Sequence, residues 1–142
     1  GFLDKAGVRG VFFDLQMRDP SDDREEVYGD EADQDFVQAV EGMEQVVLGS
    51  TLRPKEPVSN LRSEGVRQGM GLPGDWSGKP LSEFSHVGVL APRIAAARAR
   101  FGFVNAQPDD DGLIRRSPLL ARVGDRVVPA LALAGLLRAR SL

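Results

Sequence analysis

Two apolar segments that flank an amphipathic segment constrain the fold of this chain more than any other feature. Val8 to Leu15 and Gln45 to Ser50 each contain a continuous hydrophobic run, which is typical of a strand buried on both faces of a parallel sheet. Between them, Ala32 to Met43 has apolar residues at helical spacing, with Asp33 as the expected N-cap and Gly42 as the expected end. The order strand, helix, strand predicts a βαβ unit with parallel strands.

The last third of the chain predicts an antiparallel hairpin followed by a helix. Phe101 to Ala106 and Leu113 to Val123 are expected to be the two strands, because Asp111-Gly112 is a strong signal for a hairpin turn. Pro118 would place the second strand at an edge or at a bulge. Pro129 then begins an apolar helix whose leucines we expect in the core, the alternative being a dimer interface: Leu131, Leu133, Leu136 and Leu137.

The segment between these two regions, Thr51 to Glu83, is rich in Pro, Gly, Ser and charged residues. Such a long irregular segment is uncommon inside a domain, so it is either a functional loop or contains short elements. Trp76 is expected to anchor this loop, the alternative being an exposed contact for a ligand. Phe84 to Ala91 would add a short strand. The chain thus predicts one α/β domain: a mixed sheet with a βαβ unit and an antiparallel hairpin, and helices packed on the sheet.

Composition excludes several classes of function. The 142 residues have a net charge of -3 and a pI of about 5.2, whereas nucleic-acid-binding domains usually have a basic surface. The chain has no cysteine, which excludes disulfides, thiolate metal sites and a cysteine nucleophile. We therefore expect no nucleic-acid partner, and no motif indicates a cofactor.

The most distinctive charged cluster is Asp109 to Asp111, followed closely by Arg115 and Arg116. Carboxylates at a tight turn are possible ligands of a hard cation, but a calcium loop of the EF-hand type needs a glutamate at its twelfth position. Counting from Asp109, that position is Leu120. We therefore favour a turn in which the Asp side chains bond the local backbone, and expect no metal.

Asp14 is the second candidate for chemistry, because it follows a buried strand, where open α/β sheets often place functional groups. An aspartate two residues later would complete the haloacid-dehalogenase pattern, but residue 16 is Gln. A structural role for Asp14 is therefore favoured. The enzymatic alternative is a metal-assisted hydrolase in which Asp14 and the Asp109 to Asp111 cluster converge on one cation.

A longer set of motifs resembles a known family. The motifs are Arg-Phe-Gly-Phe-Val-Asn at 100–105, Pro-Asp at 108–109, Asp-Gly at 111–112, Arg-Arg at 115–116 and Pro-Ala-Leu-Ala-Leu at 129–133. Upstream, Gly-Val-Arg-Gly-Val-Phe-Phe-Asp at 7–14 and Val-Val-Leu-Gly at 46–49 occur in the matching order. Together they resemble the second type of CHASE domain, the cyclase/histidine-kinase-associated sensory extracellular domains.

The resemblance implies an extracytoplasmic sensor of a membrane-bound bacterial receptor, with a cyclase or kinase as its output and with no catalytic residue of its own. Domains of this family follow one membrane helix and precede several more. They also have a strand and a Trp-Pro-Arg-type segment before the region matched here, and a strand–turn–helix unit after it. We therefore expect this chain to be the central piece of a larger domain.

The expected partners follow from this interpretation. They are an unknown small molecule or ion, the membrane helices and cytoplasmic signalling domain of the parent protein, and a second copy in a homodimer. A purely structural dimerisation module is a further alternative. We predict that the sensing surface combines the loop Thr51 to Glu83 with the segment Asp109 to Arg116. The candidate ligand-binding residues are Asn105, Asp109, Asp111, Arg115 and Arg116.

Overall fold

The structure is a computed structural model that describes residues 5–15, 22, 28–43, 45–53, 71–88, 91, 93–94, 99–106 and 108–140. Its helices and strands follow one another in a mixed order. They are β1 (Val11–Phe13), α1 (Gly29–Glu41), β2 (Val46–Ser50), β3 (Leu52–Arg53), β4 (Ser82–Phe84), β5 (His86–Val87), β6 (Arg100–Phe103), β7 (Leu120–Val123), β8 (Arg126–Pro129) and α2 (Leu131–Ala139).

The predicted βαβ unit is confirmed and forms the centre of the fold. Strands β1 and β2 pair in parallel, and β6 pairs in parallel with the other side of β2, which gives the order β1-β2-β6. All five residues of β2 are buried. Burial on both faces is what the continuous apolar run of this strand predicted.

Helices α1 and α2 cover opposite faces of this sheet. On one face, the ring of Phe13 makes an edge contact with Phe36 of α1 at a centroid distance of 5.5 Å. On the other face, Val47 packs with Leu131 and Ala134 of α2. Because neighbouring strand residues point to opposite faces, each strand supplies both cores.

Close approach of α2 to the sheet depends on Gly102 in β6. A Cβ atom at this position would lie 2.7 Å from the backbone nitrogen of Leu131 and 3.0 Å from the carbonyl carbon of Ala130. Real Cβ atoms do not come so close to backbone atoms. The helix therefore rests directly on the strand where the side chain is missing.

The antiparallel hairpin is confirmed as a feature of the fold, but its predicted position is wrong. Strands β7 and β8 form it across a turn with Gly124 at φ 60°, while β4 pairs in parallel with β7. Strand β6 pairs with β2, and residues 104–106 and 108–119 contain no strand. The turn at Asp111-Gly112 is present, with Gly112 at φ 81°, but the exposed segment after it does not return along β6.

Two elements differ in their bounds from the sequence prediction. Helix α1 begins at Gly29, so Asp33 is a buried residue inside the helix and Tyr28 is the N-cap. The earlier start puts Asp30 and Glu31 in the first turn, where the helix dipole favours negative charge. Gly42 is the C-cap, as predicted. The expected strand from Phe84 to Ala91 is replaced by β4 and β5, and β5 pairs with β3.

Candidate functional site

The charged segment predicted as part of a sensing surface is tied together by its own ion pairs. Arg115 donates hydrogen bonds to Asp109 Oδ2 at 3.1 Å and to Asp111 Oδ1 and Oδ2 at 2.9 and 2.8 Å. The backbone N–H of Leu113 also donates to Asp111 at 3.1 Å. The Arg115 guanidinium and this N–H lower the pKa of Asp111, and Asp111 in turn raises the pKa of Arg115. The cluster is an exposed turn that is held together by its own ion pairs.

Asn105 is used to join two segments of the fold. Its side-chain oxygen accepts a hydrogen bond from the backbone N–H of Leu52 at 2.6 Å, and its amide donates to the carbonyl of the same residue at 2.8 Å. The amide thus replaces a strand partner for Leu52. Arg116, the last of the five predicted residues, is exposed.

Asp14 lies directly after β1, as predicted, and is exposed. The hydrolase alternative required it to share a cation with the acidic cluster. Within the residues that the structure describes, no group of three or more His, Cys, Asp or Glu side chains is placed to hold a metal ion. The carboxylates of Asp109 and Asp111 are instead both paired with Arg115.

A mostly apolar pocket of about 560 Å³ lies between α2, the hairpin and the end of the long loop. Its lining comes from three regions of the chain, which are the loop from Gly71 to Trp76, strand β6, and the stretch from the hairpin into α2. The lining residues are Gly71, Leu72, Pro73, Trp76, Arg100, Phe101, Leu120, Pro129, Leu133, Ala134 and Leu137. We call this space the α2 pocket.

The loop wall of the α2 pocket is held in place by hydrogen bonds. The N–H of Leu72 donates to the carbonyl of Val127 in β8 at 2.8 Å. The indole N–H of Trp76 donates to the carbonyl of Pro73 at 3.2 Å, and the carbonyl of Trp76 accepts from Arg122 Nη2 at 2.9 Å. The half-buried indole is therefore both the expected anchor of the loop and a wall of the pocket.

A second, more polar groove of about 450 Å³ lies on the other side of the same loop segment. Asp75, Arg122, Asp125 and Arg126 are the charged residues that line it. The pKa of Asp75 is lowered because its carboxylate accepts hydrogen bonds from the backbone N–H and the side chain of Ser77. This groove shares Trp76 with the α2 pocket but has a lining of mixed charge.

The prediction of a sensing surface thus overlaps with the α2 pocket only in part. The described end of the loop Thr51 to Glu83 lines the pocket, whereas residues 54–70 of that loop lie outside the described residues. Leu133 and Leu137 were expected in the core, yet they line the pocket and are only partly buried. The fourth leucine, Leu136, is exposed, so its placement in the core was wrong. Helical spacing predicts that Leu133 and Leu137 lie on the same face of α2. It does not predict that a loop lies opposite this face.

One of three comparisons with known proteins found a match, and it agrees with the resemblance of the sequence motifs. Among the described residues, no helix has the length and apolar character that a membrane span requires. No curated protein and no solved structure matches the chain. The family model of the CHASE2 domain matches residues 1–141. Because this match covers almost all 142 residues, the chain belongs to the CHASE2 family, the extracellular sensory domains of signalling receptors.

Proposed function

We propose that this chain is the sensing region of a membrane-bound bacterial receptor, that it lies on the extracytoplasmic side of the membrane, and that it is not itself catalytic. The observation that supports the proposal is the family match over residues 1–141. In the parent protein, membrane helices connect the domain to a cytoplasmic cyclase or kinase. The signal is a small molecule or an ion.

The physical requirement for such a sensor is a ligand that binds two conformations of the domain with different affinity. The α2 pocket is suited to such a ligand, because α2, the hairpin and the loop all contribute to its wall. A ligand that fills the space interacts with all three at once. A change in their relative positions would then change the ligand's affinity, and by reciprocity the ligand would favour one arrangement.

The charged segment Asp109 to Arg116 stays a second candidate surface for the ligand. Since Asp111 and Arg115 already bind each other, a ligand there has to compete with an existing ion pair. Thermal-shift measurements with metabolites and ions on Asp111→Ala and Arg115→Ala test this surface. An unchanged ligand response in both variants would remove the segment from the site.

The location can be tested because the chain has no cysteine. Lys79 is exposed, so Lys79→Cys places one accessible thiol on the domain within the intact parent receptor. We expect a membrane-impermeant maleimide to label this variant in intact cells, above the level of the unsubstituted receptor. Labelling that appears only after the membrane is permeabilised would place the domain in the cytoplasm.

The sensory role can be tested with a pair of variants on one helix. Leu133→Trp adds volume inside the α2 pocket, whereas Leu136→Trp adds it at a position that is 52% exposed. With equal amounts of receptor in the membrane, we expect the first variant to shift the cyclase or kinase output and the second to leave it unchanged. Wild-type output from both variants would contradict the proposed coupling.

A homodimer is the remaining proposed partner. Leu113, Ile114 and Leu119 are more than half exposed, at 57%, 61% and 59%, and would be available to a second copy. Light scattering over a range of concentrations tests this association. A mass that stays at one chain throughout would exclude it for the isolated domain.

A further inference from the structure

The chemistry of the α2 pocket specifies the class of ligand more narrowly than the sensory role does. We propose that the pocket binds a small amphiphilic organic anion: an apolar body lies between Trp76 and the leucines of α2, and its carboxylate pairs with Arg100. This inference rests on the proposed function, since it names the ligand of the same sensor.

The size and lining of the pocket support the apolar part of the ligand. A volume of about 560 Å³ lies within the range of roughly 300–1,000 Å³ that is typical of sites for small organic molecules. Leu133 and Leu137 are one helical turn apart on α2 and present a continuous apolar surface. The indole of Trp76, on the loop side, is the largest side chain that borders the same space.

The charge of the ligand follows from the one ionic group among the described residues that line the pocket. Of these residues, Arg100 alone is charged, and none is an aspartate or a glutamate. Within the described part of the chain, no ion pair or side-chain hydrogen bond ties the Arg100 guanidinium. Arg122, by contrast, lies beside Glu83 at 3.8 Å and donates to the Trp76 carbonyl.

Arg100 is an exposed residue at the start of β6, and the direction of its side chain explains why it lines an apolar pocket. Arg100 and Gly102 are two residues apart in the strand and therefore point to the same face, which is the face that α2 covers at Leu131. The guanidinium has five N–H donors and binds a carboxylate through two parallel hydrogen bonds. A cationic ligand would meet this charge, and none of the described lining residues is acidic to compensate it.

The test uses octanoate as the probe and octanamide as its uncharged counterpart. Trp76 is the only tryptophan, so its fluorescence reports directly on the pocket, and calorimetry gives the affinities. We expect octanoate to bind at least about tenfold more tightly than octanamide, because a hydrogen bond to a charged group is worth more than a neutral one. Equal affinities would overturn the assignment of an anion.

Two pairs of variants separate the charge from the apolar wall. Arg100→Gln should weaken octanoate binding about tenfold and leave octanamide nearly unchanged. Arg93→Gln, the control, removes a surface arginine that pairs with Asp30 outside the pocket and should change neither affinity. Leu133→Ala should weaken both probes several-fold, whereas Leu136→Ala should weaken neither. The unfolding midpoint of each variant shows that it is folded.

Three further results would overturn the proposal. The first is an octanoate affinity that Arg100→Gln does not change. The second is saturable octanoate binding that Leu133→Ala does not weaken. The third is a lack of binding by either probe together with a change in association state on Leu133→Ala, which would mean that a second copy covers the pocket. In each case the receptor-output experiment with Leu133→Trp still decides the sensory role separately.

Discussion

The contact between α2 and the central sheet gives the sharpest prediction of stability, through the substitution Gly102→Ala. The new Cβ atom would lie 2.7 Å from the nitrogen of Leu131 and 3.0 Å from the carbonyl carbon of Ala130. Both neighbours are backbone atoms, so no side-chain rotation relieves the overlap. Either α2 moves away from β6 or the strand shifts, and both separate the buried contact between Val47 and Ala134.

The cost can be estimated from the two effects that this displacement combines. Overpacking of a well-packed interior typically costs about 1–3 kcal/mol. If α2 moves outward, the contacts of Leu131 and Ala134 with the sheet also weaken, and roughly 25 cal/mol is lost for each Å² of apolar surface that water regains. We therefore expect a loss of about 3 kcal/mol in the free energy of unfolding. In a chain of this size that corresponds to a fall of roughly 10 °C in Tm.

Denaturant unfolding followed by circular dichroism measures the effect, and Gly42→Ala is the matched control. Gly42 has φ -77°, and a Cβ atom there would lie 3.5 Å from the nearest carbonyl oxygen, that of Gln38. An alanine fits at this position, so stability should be unchanged or rise by up to about 1 kcal/mol. If both variants unfold at the same denaturant concentration, the inferred close approach of α2 to β6 is incorrect.

Two further predictions concern polar residues that the sequence motifs singled out. Asn105→Ala removes the side-chain partners of the part-buried N–H and carbonyl of Leu52. It should lower the free energy of unfolding by about 2–4 kcal/mol, because unsatisfied buried groups cost about 1–3 kcal/mol each. Denaturant unfolding measures this loss, and a value below about 0.5 kcal/mol would mean that water replaces the amide. The pKa of the Asp111 carboxyl is lowered chiefly by Arg115, so its ion pair should persist from neutral pH down past the ordinary carboxyl range and disappear as pH falls through the lowered pKa. Carboxyl NMR titration should show the pKa of Asp111 rising in Arg115→Gln, and an unchanged titration would contradict this pairing.

Much of the fold could be predicted because local pattern and tertiary environment agree in the βαβ unit. A run such as Val46 to Leu48 has no polar face, so it fits only a strand that is covered on both sides. The apolar face of α1 likewise packs against Phe13 and its neighbours. Where one pattern permits one environment, sequence alone is sufficient.

The position of the hairpin could not be predicted, because two turn signals compete in the same region. Asp111-Gly112 and Gly124-Asp125 both suit tight turns, and the structure has a positive-φ glycine at each. Only the second joins paired strands. The first is closed by local bonds, including the N–H of Asp109 to the carbonyl of Leu113 at 2.9 Å. Which turn joins paired strands depends on the partner of β6. Strand β6 pairs with the buried β2, and this pairing is a property of the assembled sheet.

The α2 pocket could not be predicted from the sequence for a related reason. Leu72 and Trp76, Arg100 and Phe101, and Leu133 and Leu137 belong to three separate segments. Within its own segment, each pair is accounted for by a structural role in the loop, the strand or the helix core. The concave shape exists only because the loop is fixed to β8 at Val127 and α2 begins two residues after that strand's end.

The polar residues that the sequence motifs singled out show why a polar side chain near a turn does not by itself indicate a ligand contact. An amide or a carboxylate near a turn has the same donors and acceptors whether it meets a ligand or the chain itself. Asn105 uses both ends of its amide on Leu52, and Asp111 uses its carboxylate on Arg115 and Leu113. A ligand there must first replace bonds already made. At Arg100, no such bond within the described residues has to be broken, and therefore the pocket that it borders is the better place to look for the signal.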